Sequence, residues 1–187
     1  MRIFISLNVD EAIRNQVSEL QQKVKEKQKS QSTEFIKWEN KNKFHITVFF
    51  LGDVKHEKAD VINKELDIYS YEHKHGKIVF ESNGFSCFPN FKYPRILFVD
   101  LKNDDGKATE FYRELSSVLK PFGFVFEKKF RPHLTLARIK GNFKPDFLNI
   151  NEEIKFNFKI EVDKFHLMES KLFQSGSLYK EIRSFDL

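Results

Sequence analysis

Two histidines in this chain each stand two residues before a threonine, in His45-Ile46-Thr47-Val48 and His133-Leu134-Thr135-Leu136. Residues i and i+2 of a β-strand project from the same face. Each motif therefore presents an imidazole beside a hydroxyl. Two such strands facing one cleft would offer two imidazoles and two hydroxyls to one substrate. Opening a cyclic phosphate needs a water deprotonated on one side of phosphorus and an alkoxide protonated on the other. Imidazole, with an ordinary pKa near ~6.5, does either job at neutral pH. The two threonine hydroxyls would hold the non-bridging oxygens as charge develops.

The elements that must carry these motifs are legible from periodicity. Residues 2–8 read as a strand. Asp10 reads as an N-cap, and Ile13, Val17, Leu20 and Val24 recur at helical spacing over residues 11–29. Residues 30–34 read as a loop, 35–38 as a short strand and 44–51 as a strong strand. A second helix is expected over 57–70, with Val61, Ile62, Leu66 and Tyr69 inward, and a third over 106–121, ended by Gly123. Residues 77–88 are β-type around a turn or bulge at Asn83-Gly84, and 95–101, 124–127 and 133–139 are further strands. Residues 154–169 read as one long strand with which 177–185 could pair. In each half a helix precedes a histidine–threonine strand, so the order suggests a duplication. Strands with helices segregated between them predict an α+β fold with antiparallel sheets.

Bulk properties narrow the class. The 187 residues suffice for one compact domain or two small lobes sharing a core, and the net charge of +5 mildly favours polyanionic partners. Most of the 22 phenylalanines are expected in the core. The single cysteine, Cys87, excludes an intrachain disulfide and reads as a packed thiol. No apolar stretch is long enough to span a bilayer, and the first residues do not read as a signal peptide. The expectation is a cytoplasmic protein with no membrane partner. His73-Lys74-His75 reads as a polar loop, and no metal site is expected. No ATP-binding signature is present.

The paired motifs resemble those of the two-histidine (2H) phosphoesterase superfamily, in particular its RNA 2′,3′-cyclic phosphodiesterase branch, once named 2′-5′ RNA ligase. The resemblance extends through Arg2-Ile3-Phe4-Ile5, the segment from Phe44 to Gly52, the run Phe130-Arg131-Pro132-His133-Leu134-Thr135-Leu136-Ala137-Arg138, Leu167-Met168-Glu169-Ser170 and Gly176-Ser177-Leu178-Tyr179. It implies a single 1–187 domain of two interleaved lobes, related by a pseudo-twofold axis, with sheets lining a central cleft and helices outside. It implies hydrolysis of an RNA 2′,3′-cyclic phosphate end to a 2′-phosphomonoester with neither metal nor cofactor, by a monomer. His45 would be the general acid and His133 the general base, with Thr47 and Thr135 on the phosphate. The alternatives are another 2H activity (cleavage of 2′-5′ oligonucleotides or small cyclic nucleotides, or 2′-5′ ligation) and a non-catalytic RNA-end binding module.

Four further side chains are candidates for substrate contact. Arg138 matches a basic residue that the family places near phosphate, yet its odd offset from His133 would aim it away from the motif face unless the strand is bulged. Arg131 is at an even offset. The branch commonly carries a basic residue four after the first histidine, where this chain has Phe49. By alternation Phe49 shares the face of His45 and Thr47, to stack on a base or to line the core. Phe4 is a second stacking candidate.

Overall fold

The computed structural model describes the chain apart from residues 29–33, 127–128, 142, 144, 146 and 175 and the side chain of Leu148. The first half runs β1 (Arg2–Asn8), α1 (Glu11–Lys27), β2 (Ile36–Trp38), a 3₁₀ turn (Lys41–Lys43), β3 (His45–Asp53) and α2 (His56–Glu72). The chain continues through β4 (Ile78–Phe88), β5 (Ile96–Lys102), α3 (Lys107–Leu119) and β6 (His133–Ile139). It ends with α4 (Phe147–Glu153), β7 (Lys159–Val162), β8 (Lys164–Phe173) and β9 (Gly176–Asp186).

Two antiparallel sheets result, ordered β3-β1-β8-β9 and β2-β6-β5-β4-β7. They share one plan. A histidine–threonine strand pairs with the strand that precedes it across a helix: β3 with β1 across α1, and β6 with β5 across α3. The sheets also exchange chain. β2, from the first half, lies beside β6, and β8–β9, from the last quarter, extend the sheet of β1 and β3.

Local chemistry explains the helices. The Asp10 carboxylate accepts from the Ile13 amide at 2.8 Å, which caps α1, and Ile13, Val17, Leu20 and Val24 are buried. In α2 the buried side is Ala59, Ile62, Leu66, Tyr69 and Ser70, while Val61 is exposed. Asn103 accepts from the Ala108 amide at 2.9 Å and so holds the first turn of α3. Pro121 cannot donate to a continuing ladder, and α3 closes in a 3₁₀ turn capped by Gly123 at φ 78°.

Three further expectations differ from the structure. The β-type run expected over residues 154–169 is strand only from Lys159 and is broken at Asp163, where the chain leaves the β4 side of one sheet (β7) to enter the other beside β1 (β8). Both pieces are apolar on alternate residues, so periodicity alone does not reveal the change of sheet. Residues 124–126 form no strand, and Glu127 lies outside the described residues, as do 30–33 of the expected loop. His75 is tucked in, its Nε2 2.7 Å from the Tyr69 hydroxyl and 3.2 Å from Glu114. Asn83-Gly84 is a bulge: the β4–β5 register slips between Ser82 and Phe85. Cys87 is buried, which pushes its thiol up to about 12. No helix among the described residues is long and apolar enough to cross a membrane.

Candidate active site

The two histidines are held in matching ways. His45 Nδ1 lies 2.7 Å from the Lys43 carbonyl, and His133 Nδ1 lies 2.8 Å from the Arg131 carbonyl. A carbonyl only accepts, so each Nδ1 carries the hydrogen and each neutral ring keeps its lone pair on Nε2. His45 Nε2 accepts from the Thr47 hydroxyl at 3.0 Å. Each imidazole is also wedged between two aromatic rings. For His45 these are Phe4 (5.1 Å) and Tyr179 (5.3 Å); for His133 they are Phe88 (5.2 Å) and Phe98 (5.0 Å). Anchored at one nitrogen and flanked by two aromatic rings in tilted and edge contacts, each imidazole is held in one orientation.

Both sites disfavour the imidazolium. Burial lowers the pKa of His45 from 6.5 to about 4, against the raising effect of the Lys43 carbonyl and with His133 and Arg138 pushing it further down. His133 is lowered too, chiefly by burial and by the Arg131 cation, with Asp100 acting the other way.

A cleft of about 410 Å³ opens where the sheets meet, and His45, Thr47, Thr135, Arg138, Phe4 and Tyr179 are among its walls. His133 does not itself line this cleft, although Thr135, on the same face of β6, does. The strand carrying each motif is bulged just past its threonine. On β6, Ala137 pairs with Leu97 and Thr135 with Phe98, which leaves Leu136 as the extra residue. Leu136 and Ala137 are consequently both buried, alternation resumes one step late, and Arg138 emerges into the cleft. On β3, Phe49 pairs with Ile5 and Thr47 with Ser6, so Val48 is the extra residue. The burial pattern is the same, and Phe50 emerges into the cleft.

The bulge sets the fate of the candidates. Phe49 is turned inward, 2% exposed, between the rings of Tyr112 (4.5 Å) and Phe126 (4.1 Å). Phe50 is 52% exposed at the mouth and holds on β3 the place that Arg138 holds on β6. A cation is supplied there from another strand, since the Arg2 guanidinium lies 4.8 Å above the Phe50 ring. Phe4 is buried against His45 and Tyr179, so its ring supports the imidazole. Arg131 does not line the cleft. Its Nε donates to Asp100 at 2.9 Å and its Nη2 to Ser86 at 3.0 Å, with its plane near Phe88 and Phe98. It thereby braces the carbonyl that orients His133.

The residues that alternation and motif spacing miss are Phe50, Tyr179, Arg2 and Asp100. A signal for Phe50 is present, since its offset from His45 equals that of Arg138 from His133. Among the described residues no group of three His, Cys, Asp or Glu side chains is placed to hold a metal ion.

Comparison with known proteins agrees with this fold. The chain is 31% identical over 184 residues to the RNA 2′,3′-cyclic phosphodiesterase of Thermotoga maritima, covering 96% of this chain and 92% of that one. It is 32% identical over 188 residues to the protein of the same name from Archaeoglobus fulgidus, covering all of both. Its fold matches the crystal structure of TT0787 of Thermus thermophilus with a TM-score of 0.80 at 22% identity, over 100% of this chain and 98% of that one. The model of the family described as LigT like phosphoesterase matches the chain twice in succession, over residues 7–98 and 99–179, with one histidine–threonine motif in each stretch. The chain belongs to the LigT-like phosphoesterase family.

Proposed function

We propose that the protein hydrolyses RNA ends bearing a 2′,3′-cyclic phosphate to 2′-phosphomonoesters, with the whole 187-residue chain acting as one catalytic unit. The observation that carries the reading is the pair of imidazoles in the same Nδ1–H tautomer, each two residues before a threonine that lines the cleft between the sheets. The names of the relatives support the choice of substrate.

In this reading water attacks phosphorus and yields a proton to Nε2 of His133 as the P–O3′ bond breaks. The departing O3′ takes a proton from Nε2 of His45. Thr47, Thr135 and Arg138 hold the non-bridging oxygens. His45 must first be protonated, and its depressed pKa means that the free protein holds it neutral. The phosphate anion reverses that bias. It offsets Arg138 and favours the imidazolium, and protonation of Nε2 releases the Thr47 hydroxyl to donate to a phosphate oxygen.

The direct test is incubation of an oligonucleotide ending in a 2′,3′-cyclic phosphate with chelator-treated protein. The expected product is the 2′-phosphomonoester, formed at an undiminished rate. A 3′-phosphate product, or turnover restored only by added metal, contradicts the scheme.

A further inference from the structure

We propose that the cleft holds a second anion station, built from Lys37 and Lys43 beside Gly176, that binds the phosphate on the 5′ side of the terminal nucleotide. The proposal rests on the RNA-end reading above and narrows it, because a mononucleotide cyclic phosphate has no such group.

The two lysines come from different elements and converge. Lys37 is on β2 and Lys43 closes the 3₁₀ turn, yet both line the cleft. A β-carbon placed on Gly176 would lie 2.9 Å from the Lys37 ammonium and 4.0 Å from that of Lys43. Glycine at 176 leaves room for both ammonium groups to lie against the backbone of β9.

Charge makes the arrangement informative. Lys37 stands directly opposite Arg138 in the β2–β6 ladder. Like charges directly opposed across a ladder destabilise it. Neither lysine forms an ion pair with a described residue, whereas Lys41 between them in sequence is paired with Glu11 at 2.6 Å. Among the described residues the cleft wall thus gathers Arg2, Lys37, Lys43 and Arg138 against a single carboxylate, Glu39. A bound polyanion would relieve this repulsion.

The station is also within one nucleotide's reach of the catalytic group. The Lys43 ammonium is 5.9 Å from the Tyr179 ring centroid, and that ring is 5.3 Å from His45. Arg138 binds the cyclic phosphate in the scheme above, and Lys37 is its cross-strand neighbour. In an RNA strand with a terminal cyclic phosphate, every other phosphate lies on the 5′ side. The anion that reaches Lys37 and Lys43 is therefore the internucleotide phosphate. The exposed Phe50 and Phe173 in the same wall present faces on which bases can stack.

The test compares equilibrium binding of a dinucleotide with a terminal 2′-phosphate and of a nucleoside 2′-monophosphate, neither of which turns over. The wild-type protein should prefer the dinucleotide on the order of tenfold, the scale of one charge-assisted contact. The Lys37→Gln/Lys43→Gln variant should lose most of that preference. Its slope of log affinity against log salt for the dinucleotide should be shallower by about 0.7, the value for one phosphate contact on a single strand. A Lys23→Gln/Lys120→Gln variant loses the same charge on exposed positions of α1 and the turn after α3, and should keep the preference. The inference is overturned if the wild type shows no preference, or if both double variants retain it equally. Turnover of the cyclic phosphate is measured separately. Its absence alongside an intact, lysine-dependent preference would sink the hydrolase reading and not the station.

Discussion

Each imidazole of the pair is oriented by a carbonyl two residues upstream and flanked by two aromatic rings, and burial biases both toward the neutral form. A base is ready in that state, but an acid is not. Both pKa values lie below the ordinary 6.5, that of His45 at about 4. Because kcat/KM reports the free enzyme, its pH profile should be a bell with its maximum below about pH 6.5. Activity falls on the alkaline side as the last proton leaves the pair, and on the acid side as the base becomes protonated. Replacing the proposed acid, in His45→Gln, should abolish the alkaline limb of what activity remains. Replacing the proposed base, in His133→Gln, should abolish the acidic limb. Initial-rate profiles of the three proteins check this, and limbs lost in the opposite order would exchange the two roles.

At the scale of elements, the paired β-bulges decide which side chains line the cleft. The bulged residue Leu136 turns its carbonyl toward the end of β2. The Glu39 amide at 2.8 Å and the Gln21 side-chain nitrogen at 2.9 Å satisfy it, and Gln21 also donates to the Glu39 carbonyl at 2.9 Å. Gln21 is a buried polar residue on the apolar side of α1, and this bonding accounts for it. Gln21→Met removes both side-chain donations while the Leu136 carbonyl keeps the Glu39 amide, and should destabilise the fold by about 1 kcal/mol, the net worth of a buried hydrogen bond. It should also loosen the bulge that presents Arg138, so that KM rises. Denaturant unfolding together with steady-state kinetics measures both, and an unchanged midpoint would refute the clamp.

These bulges also mark the limit of what the sequence discloses. Alternation places His45, Thr47, His133 and Thr135 on common faces, because no irregularity lies within either triplet. It points Phe49 toward the cleft and Arg138 away, because one extra residue reverses every later side chain. The helices α1 and α3 are legible from their apolar stripes and caps. The short α4 and the change of sheet at Asp163 are not, since both are imposed by distant partners.

For the whole molecule, the two sheets repeat one plan with unequal furnishing. The β6 side carries its own arginine at the cleft, while the β3 side carries Phe50 and borrows Arg2 from β1. The asymmetry suits a division of labour between acid and base on a single phosphate. The central claim is that both halves act in one turnover. The measurement that tests it is single-turnover hydrolysis of a 2′,3′-cyclic-phosphate oligonucleotide by the wild type, His45→Ala and His133→Ala, with the product isomer identified. The account predicts a 2′-phosphomonoester from the wild type and a loss of roughly 10²–10⁴-fold in each variant, the usual scale for a general acid or base. Near-wild-type turnover in either variant would contradict it.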